Sequence, residues 1–509
     1  MSDSAPTSSV QSKATPGPAP NGQGRGLFAS TDLRTGDDIL HIKSPFVAVL
    51  ETQRLDDTCS GCFGKRLLES DPESKIVLRA CAGCQVIKYC DKTCQAKDWK
   101  LAHARECGIF KSLQPRVLPI NARALLRMVL RTGAKKDAYT TEELDLFQTL
   151  ETHVRDIHAG NPAQWERISL SSKAVKEYSK TDMDEEMISA FGAKLDLNAF
   201  NLTNSLYDRI GLYLHPYAAL INHSCDYNAV VGFDGPELYI KAIRPIAKDE
   251  QILISYVDTT YPTRIRQKEL RERYFFTCQC KKCTHEKEED KEKESPDATS
   301  EMAAAVSRDA FALLESGTAL TDSKRLALVT QALISYHLPK TKQPFVSILD
   351  EMIASDITGD SYFHAFLNSA LRFARIDPVV YRYEAHPLRA VHAWTLAKVT
   401  LYMSQQMPDQ TIPEFAKDGW QEFLGRGEVV VDYGLLAWTV LAELVSKEAE
   451  YCTVPGFRAM VKRAFAEVHE EFMNHGLDPR RMREEIRGEW IKLGKVIQGY
   501  YQCVFREEV

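Results

Sequence analysis

Residues 221–228 read INHSCDYN and directly follow the apolar run GLYLHPYAAL at 211–220. This stretch sets an amide, an imidazole, a hydroxyl and a thiol side by side where the hydrophobic pattern predicts core. Burying such groups is unfavourable unless they find partners. Other motifs of the chain have to supply those partners, and together with this stretch they decide the fold.

Length and composition limit the class of protein. The chain has 509 residues, 44% hydrophobic and 26% charged, which predicts a soluble globular protein of two to four units. Its net charge of −6 gives no global basic field for nucleic acid or anionic membrane. Residues 1–20 are rich in Ser, Pro, Ala and Gly and predict a disordered tail rather than a signal peptide. No window reaches the ~20 apolar residues of a membrane span, so we expect an intracellular protein of the nucleus, the cytoplasm or both.

Cysteines in a reducing compartment point to metal rather than disulfides. Seven of the thirteen lie in residues 59–107, within the motifs CSGC, CAGC, YCDKTC and HAREC. The spacing is C-x2-C, C-x2-C, C-x3-C and H-x3-C, and eight such ligands suffice for two closed tetrahedral zinc sites of the structural kind. The alternative, a chance group of reduced cysteines, is disfavoured by the paired ligand spacings.

A second cluster, FFTCQCKKC at 275–283, supplies three more thiolates. A tetrahedral zinc site needs a fourth ligand, and the best-placed candidate is Cys225 of NHSC. The sequence therefore predicts a third zinc that ties the opening stretch to a distant cysteine-rich segment. Cys452 and Cys503 stand apart and are expected to be small buried apolar residues.

The stretch YCDKTCQAKDWKLAHARECGIF at 89–110 resembles a MYND zinc finger. In that family the ligand pairs interleave, and the resemblance implies two sets of ligands. One zinc would be held by Cys59, Cys62, Cys90 and Cys94, and the other by Cys81, Cys84, His103 and Cys107. The gap between the first two pairs is longer than usual for the family and implies a loop insertion at 63–80.

The C-x-C-x2-C motif partnered with an upstream NHSC resembles a SET domain with its post-SET zinc, held by Cys225, Cys278, Cys280 and Cys283. The whole order of motifs, over about residues 21–285, resembles the SET-and-MYND (SMYD-type) protein lysine methyltransferases in a fungal-like form. The implied fold is α+β: a SET β-fold split by a MYND zinc finger, with a post-SET zinc site and an α-helical TPR-like C-terminal domain.

The expected domains follow from these motifs and from composition. They are a disordered tail (1–20), the N-terminal part of SET (21–58), the MYND finger (59–107), a helical SET insertion (108–185), the SET core (186–258), the post-SET segment (259–285), a charged linker (286–303) and the α-helical C-terminal domain (304–509).

The family resemblance implies S-adenosylmethionine as the cofactor. The residues that it assigns to the cofactor site are Gln23, Gly24, Arg25, His153, Asn198, Asn222, His223, Tyr256, Tyr274, Phe275 and Phe276. Without the family, His153 could be an exposed helical histidine and Asn222 a satisfied core asparagine. The glycines at 22, 24 and 26 could suggest a dinucleotide loop, but no strand precedes them and the G-x-G-x-x-G spacing is absent. The two glycosylation sequons, at 201–203 and 222–224, would need a secretory route.

Tyr256 and Tyr274 are the catalytic candidates that the resemblance implies. Tyr256 ends EQILISYVD at 250–258, which alternates as a β-strand; Asp249 stands where the family usually has a turn glycine. Methyl transfer to an amine is an in-line displacement that depends on positioning. It requires a neutral lysine amine, and an apolar channel beside a cation disfavours the ammonium form.

The family resemblance thus implies an S-adenosylmethionine-dependent protein-lysine N-methyltransferase that acts on histone or other proteins. The alternative from another class is a catalytically inactive SET/MYND zinc-binding scaffold that recruits Pro-rich protein partners through the finger. A nucleic-acid-binding role rests only on the two finger zincs and nearby lysines and ranks last. We expect a monomer without membrane attachment.

Overall fold

The computed structural model describes residues 10–69, 76–133, 139–292, 298–406 and 431–505. These residues form two compact units. The first contains the described residues up to Val257, together with Arg266–Cys283 and Cys452–Phe457. The second contains the described residues of Asp258–Ile265, Thr284–Tyr451 and Arg458–Val509.

The first unit carries the strands that the structure describes. They are β1 (Val10–Ser12), β2 (Ala14–Pro18), β3 (Arg25–Ala29), β4 (Asp38–Ile42), β5 (Val47–Leu50), β6 (Arg79–Ala80), β7 (Lys88–Tyr89), β8 (Phe200–Thr203), β9 (Arg209–Leu214), β10 (Asn222–His223), β11 (Ala229–Asp234), β12 (Glu237–Ala242) and β13 (Gln251–Ile254). They form three small sheets of order β1-β4-β12-β11, β10-β13-β3-β2 and β5-β9-β8, and a ribbon of β6 and β7. Neighbours are antiparallel except β10 and β13, which run parallel.

Helices lie within the finger and in the segments after it. They are α1 (Lys65–Glu69), α2 (Lys92–Asp98), α3 (Ala104–Leu113), α4 (Ile120–Thr132), α5 (Thr141–Gln148), α6 (Val154–Gly160), α7 (Pro162–Ser179), α8 (Glu185–Asn198) and α9 (Thr263–Tyr274). Their starts follow from side-chain caps that satisfy free backbone N–H groups. The Thr140 and Glu143 side chains form a reciprocal capping box on α5, and Asp184 accepts from the N–H of Met187 at the start of α8.

One buried core joins the sheets to the finger and to α4. Apolar side chains of β5, β9 and β12, such as Val47, Tyr213 and Ile240, belong to the same cluster as Leu125 of α4 and Tyr89 of the finger. The β11–β12 hairpin turns at Gly235 with φ +63, and a Cβ there would meet the carbonyl oxygen of Cys62 at 2.7 Å. Glycine is therefore required at this contact between the hairpin and the finger.

The prediction of a disordered tail over residues 1–20 is wrong for residues 10–18; residues 1–9 lie outside the described part. β1 pairs with β4, and β2 pairs with β3 over five residues. Ala14 is buried, and its carbonyl oxygen accepts a hydrogen bond from the Tyr217 hydroxyl at 2.8 Å. Strand β2, ATPGP, has little β-propensity of its own, so its pairing is imposed by the neighbouring sheet rather than by its composition.

A short segment from far along the chain packs against β11 and β12. Cys452 donates from Sγ to the carbonyl oxygen of Ala242 at 3.1 Å and accepts at its own carbonyl from the Tyr207 hydroxyl at 3.2 Å. Val454 fills the space over Gly232, where a Cβ would lie 2.7 Å from its methyl group. This segment lies within the predicted C-terminal domain (304–509), yet Cys452–Phe457 packs as part of the first unit.

The described residues of the second unit are almost wholly helical, which confirms the predicted α-helical C-terminal region. Its helices are Lys281–Glu292, Ala298–Ser316, Ser323–Ser335, Phe345–Thr358, Tyr362–Leu371, Asp377–Val380, Pro387–Gln406, Tyr433–Ser446, Pro455–Asn474 and Arg483–Phe505. The segment predicted as a charged linker, residues 286–303, is helical where the structure describes it, because residues 286–292 and 298–303 lie in two of these helices. Within the described ranges, no helix has the length and apolar character to cross a membrane.

We predict that removing residues 1–18 lowers the melting temperature by at least ~3 °C, because it takes two paired strands and the buried Ala14 out of the first unit. The matched control removes residues 1–9 only and keeps both strands. Thermal unfolding followed by circular dichroism compares the two deletions. Equal melting temperatures for both would show that β1 and β2 contribute nothing to stability.

Candidate active site and metal centres

Two groups of metal-binding side chains interleave along the finger. One consists of Cys59, Cys62, Cys90 and Cys94, and the other of Cys81, Cys84, His103 and Cys107; within each, all ligand atoms lie within 4.8 Å of one another. The sulfurs of Cys62 and Cys90 are 3.7 Å apart, as are those of Cys81 and Cys107. Two thiolates on one tetrahedral Zn²⁺ would be separated by ~3.8 Å. Both groups therefore fit zinc, in the interleaved pairing that the family resemblance implies.

Tight local turns produce these groups. After each C-x2-C pair the next residue turns the chain back with a positive φ, 49° at Phe63 and 57° at Gln85. The backbone N–H of each of these residues donates to the carbonyl of the first cysteine of its pair, at 2.8 and 2.9 Å. Cys94 lies in the first turn of α2, where the Asp91 carboxylate accepts from its N–H at 2.8 Å.

A buried ionic network stands behind the second group. His103 places Nε2 3.6 Å from the Cys84 sulfur and Nδ1 3.8 Å from the Glu106 carboxylate. Glu106 accepts two hydrogen bonds from Arg127, at 2.7 and 2.8 Å, and Arg127 also donates to the carbonyl of Ala48 in β5 at 2.9 Å. A carboxylate on the second ring nitrogen commonly orients a histidine ligand. The network therefore links a metal ligand of the finger to α4 and β5.

The two buried carboxylates near Arg127 differ in their pKa values. Burial by itself would raise the pKa of Glu106, but the guanidinium of Arg127 outweighs it and lowers that pKa to about 2. A second carboxylate, Asp98, lies 3.4 Å from Arg127 and accepts from the Tyr89 hydroxyl at 2.7 Å. Burial raises the pKa of Asp98, because one guanidinium does not fully compensate two buried carboxylates.

The third group joins Cys225 to Cys278, Cys280 and Cys283, again with all four sulfurs within 4.8 Å. Four thiolates on one Zn²⁺ would carry a net charge of −2 in a buried place. Arg266 of α9 is 1% exposed and donates to the Cys283 sulfur at 3.6 Å. This buried cation offsets part of the cluster charge, which an apolar surrounding could not do.

The NHSC run connects this third group to the predicted catalytic tyrosine. His223 is buried; its Nδ1 accepts the backbone N–H of Tyr256 at 2.9 Å and its Nε2 lies 3.4 Å from the Cys225 sulfur. Burial lowers the pKa of His223 to about 4, so the ring is neutral and Nε2 carries the proton. Asn222 and His223 form β10, paired with Leu253 and Ile254 of β13. The first two of the four polar residues of the opening stretch are thus placed by strand pairing, and the backbone N–H of Ser224 donates to the carbonyl of Ile254 at 2.9 Å.

The predicted cofactor residues near the chain start lie beside Asn222. The Asn222 side-chain amide donates to the carbonyl of Arg25 at 3.1 Å, and the Arg25 guanidinium donates to the Thr149 hydroxyl. A Cβ at Gly26 would lie 2.6 Å from Gln251 Nε2 and 3.1 Å from Asn222 Nδ2, so a larger residue here would have to displace these two side-chain ends. Gln23 and Gly24 directly precede β3, and Gly24 has φ +72 with open space where a Cβ would be.

Asn198 and His153 meet at a second part of the predicted cofactor site. Asn198, at the end of α8, donates from its amide to the carbonyls of Lys194 and Glu151, at 2.8 and 3.3 Å. His153 caps α6 with φ 46 and hydrogen-bonds Asp156 at 2.8 Å. Its ring stacks on Phe275 with centroids 5.0 Å apart. Among the described residues, neither Asn198 nor Asn222 uses its side-chain oxygen in a hydrogen bond.

Tyr256 and Tyr274 border one cavity. Their ring centroids are 5.0 Å apart, and Phe276 lies edge-on to Tyr256 at 6.4 Å. The Tyr256 hydroxyl donates to the carbonyl of Ile221 at 2.6 Å. Burial raises the pKa of both hydroxyls, so both stay protonated at neutral pH. The cavity, of about 200 Å³, is lined by Leu197, Asn198, Ala199, Phe200, Asn201, Thr203, Ala219, Ile221, Val231, Phe233, Ile254, Ser255, Tyr256, Arg273 and Tyr274.

Sequence reasoning missed several residues of this site. The carbonyl of Ile221 accepts from Tyr256 and the hydroxyl of Thr149 accepts from Arg25, and no sequence motif predicts either contact. Arg266 could have been suspected, since four clustered thiolates need a cation nearby, but a helix rich in Arg and Lys offers many candidates. Arg273 directly precedes Tyr274 and lines the same cavity.

Comparison with known proteins agrees with this geometry. Residues 24–257 match the family model of the SET domain. The chain is 33% identical over 264 residues to the SET domain and MYND-type zinc finger protein 6 of Schizosaccharomyces pombe, covering 52% of this chain and 50% of the relative. It is 30% identical over 270 residues to the histone-lysine N-methyltransferase ASHR1 of Arabidopsis thaliana and 31% over 276 residues to the histone-lysine N-methyltransferase SMYD3 of Homo sapiens, covering 53% and 61% of those proteins.

Residues 24–257 are thus similar to the SET domain. The chain is also similar, over about half of its length, to the SET domain and MYND-type zinc finger protein 6 and to SMYD3, and it has two interleaved metal-binding groups inserted within the SET match. It spans about half to three-fifths of the length of these relatives.

We predict about three zinc ions per chain in protein purified without added metal, because twelve ligands are arranged four to an ion. Cys225→Ser should lower the content to about two by removing a ligand of the third group. Cys452→Ser, a buried cysteine outside the three groups, serves as the matched control and should keep three. Inductively coupled plasma mass spectrometry measures the ratio; an unchanged ratio in Cys225→Ser would exclude Cys225 as a ligand.

Arg127→Met is predicted to destabilise the protein by about 3–5 kcal/mol, because it leaves the buried carboxylates of Glu106 and Asp98 without their cation. The control is Arg116→Met, an exposed arginine of the segment after the finger. Urea unfolding gives the free energies of the two variants. A loss below ~1 kcal/mol in Arg127→Met would mean that the network contributes little to the joining of the finger with α4.

Proposed function

We propose that the protein is an S-adenosylmethionine-dependent protein-lysine N-methyltransferase. The observation that carries this proposal is the cavity bordered by Tyr256 and Tyr274, which also reaches Asn198 of the predicted cofactor site. A narrow aromatic channel with protonated hydroxyls is what an amine nucleophile needs for orientation. The names of the relatives, histone-lysine N-methyltransferases among them, support the same reaction.

The side chains near the predicted cofactor site fit a zwitterionic ligand. The side-chain amides of Asn198 and Asn222 donate to backbone carbonyls, so the side-chain oxygen of each can accept a hydrogen bond from a ligand ammonium group. Phe275, stacked on His153, offers an aromatic surface for a nucleobase. The residues that would hold the cofactor are Gln23, Gly24, Arg25, His153, Asn198, Asn222, His223, Tyr256, Tyr274, Phe275 and Phe276. His223 contributes through its backbone, because its ring nitrogens face Tyr256 and Cys225.

The cavity residues then bind and orient the lysine. The cofactor, when bound, supplies an electrophilic methyl group on a sulfonium. The Tyr256 hydroxyl donates a hydrogen bond to the carbonyl oxygen of Ile221, so its oxygen can accept a hydrogen bond from an N–H of the amine. This hydrogen bond would turn the nitrogen lone pair toward the methyl group. The rings of Tyr256 and Tyr274 stabilise the approaching cation, while the apolar walls favour loss of its proton. Among the described residues, the cavity lining includes no carboxylate or imidazole side chain. We propose that the proton leaves to water.

We propose in addition that the finger binds a Pro-rich peptide. Trp99 is 44% exposed and lies edge-on to the metal-ligating His103, with ring centroids 5.7 Å apart. Pro-rich segments dock on exposed aromatic side chains of this kind. A monomeric protein of the nucleus or cytoplasm, with protein lysines as substrate, stays part of the proposal.

Tyr256→Phe should slow methyl transfer by about 10²–10³, because the ring stays in place and the preorganised hydroxyl is lost. The matched control, Tyr239→Phe, removes another largely buried hydroxyl of the same unit, whose partner is Glu237. Single-turnover transfer from labelled cofactor to an extract protein gives the rates, and calorimetric titration gives cofactor affinity. If Tyr256→Phe keeps a rate within about threefold of the parent, Tyr256 is a packing residue. If the parent binds no cofactor at all, the scaffold alternative replaces the proposal.

A further inference from the structure

The wall of the cavity carries a single kind of charge. Of the fifteen described residues that line it, only Arg273 is ionised at neutral pH, and Arg273 is an exposed residue. The other polar members, such as Asn201, Thr203 and Ser255, are neutral. The charge on the described lining is therefore that of one guanidinium.

Arg273 is held against the catalytic tyrosine. Its guanidinium carbon lies 5.1 Å from the ring centroid of Tyr274, within range of a cation–π contact. The positive charge also acts on the Tyr274 hydroxyl, where it opposes the burial that raises the pKa. Within the described part of the chain, Arg273 forms no ion pair, so its charge remains available to a ligand.

The acidic groups near this wall are not among the described residues that line the cavity. Asp196 is paired with Arg167, which donates to both of its oxygens at 2.7 and 2.8 Å, and it also accepts from Gln164 at 2.6 Å. Glu272 is on the same helix and lies 3.9 Å from Lys268. Glu269 is one turn before Arg273, and its charge acts on the Tyr274 hydroxyl in the sense opposite to that of Arg273.

A cationic wall is unexpected beside a channel for a cationic side chain. The target lysine is committed to the channel, where its aromatic walls compensate the charge. The residues that flank it must lie against the mouth and meet Arg273 directly. Lysine or arginine there would be repelled, and a carboxylate or phosphate would pair with the guanidinium, bidentately where the geometry allows.

We propose that Arg273 is a specificity-determining residue that selects lysines flanked by acidic residues and disfavours lysines within basic tails. This inference rests on the proposed methyltransferase function and deepens it, because it names the substrate class of the same site. It predicts substrates among proteins with acidic surface segments rather than among strongly basic tails.

The test uses three peptides of one length that differ only at the residues flanking a central lysine, which are Glu, Gln or Arg. With the full chain at low salt, kcat/KM is expected to fall in the order Glu, Gln, Arg. We expect a difference of about five- to tenfold between the Glu and Arg peptides, because one exposed charge pair with Arg273 is gained in the first and one like-charge repulsion in the last. The difference in kcat/KM between the Glu and Arg peptides should shrink at ~0.5 M salt, because this ionic strength screens exposed charges over a few ångströms.

Charge reversal supplies the decisive comparison. Arg273→Glu is expected to invert the order of the three peptides, and Arg273→Gln to level it. Arg271→Glu is the matched control, since Arg271 is an exposed arginine of the same helix that does not line the cavity, and it should keep the parent order. An unchanged order in Arg273→Glu would overturn the inference, as would an inversion in Arg271→Glu.

Peptide affinities separate this inference from the proposed function. Fluorescence polarisation with the same three peptides measures binding without methyl transfer. If binding follows the predicted order and inverts in Arg273→Glu while no peptide is methylated, the charge selection holds and the proposed activity fails. If the peptides are methylated with equal kcat/KM and bind equally, the activity holds and the role of Arg273 is refuted.

Discussion

The constraint on which the first unit depends is the placement of Cys225 two residues after His223. The cysteine belongs to the third metal group, and the imidazole accepts the backbone N–H of Tyr256, so one short segment fixes a metal cluster and a tyrosine at once. The pairing of β10 with β13 holds that segment in register, so a slip by one residue would turn both side chains to the wrong face. Metal binding, strand pairing and the shape of the cavity therefore depend on one another.

Buried arginines balance the negative charge of carboxylate or thiolate groups at two places in the first unit. Arg127 does so for Glu106 and Asp98 behind the finger, and Arg266 does so for the third metal group. Arginine suits both places because its planar, permanently charged head group makes several directed hydrogen bonds with little loss of hydration. Arg273 differs from both: it has no such partner among the described residues and faces the cavity.

The metal ligands were predictable because their chemistry is written in local spacing, and the structure brings the predicted twelve side chains into three groups. The outer partners were not, since Arg127 and Arg266 reach the groups only through the tertiary fold. Strand β2 was missed because ATPGP carries two prolines and a glycine, and its pairing comes from β3. The helix Lys281–Glu292 was missed because a run of charges is typical of linkers, although Glu and Lys at these spacings also favour helices. The family resemblance assigns His223 to the cofactor site without saying which of its atoms take part, and the structure shows both ring nitrogens directed at Tyr256 and Cys225.

We propose that the cavity between Tyr256 and Tyr274 directs a methyl group onto a lysine nitrogen. This proposal is tested by incubating the full chain with a cell extract and cofactor that carries a trideuterated methyl group, followed by peptide mass spectrometry. We expect the heavy methyl group on lysine side chains, and its loss when Tyr256 and Tyr274 are both replaced by phenylalanine. Heavy methyl groups on other residue types alone, or an extract without any label despite measurable cofactor binding, would contradict it.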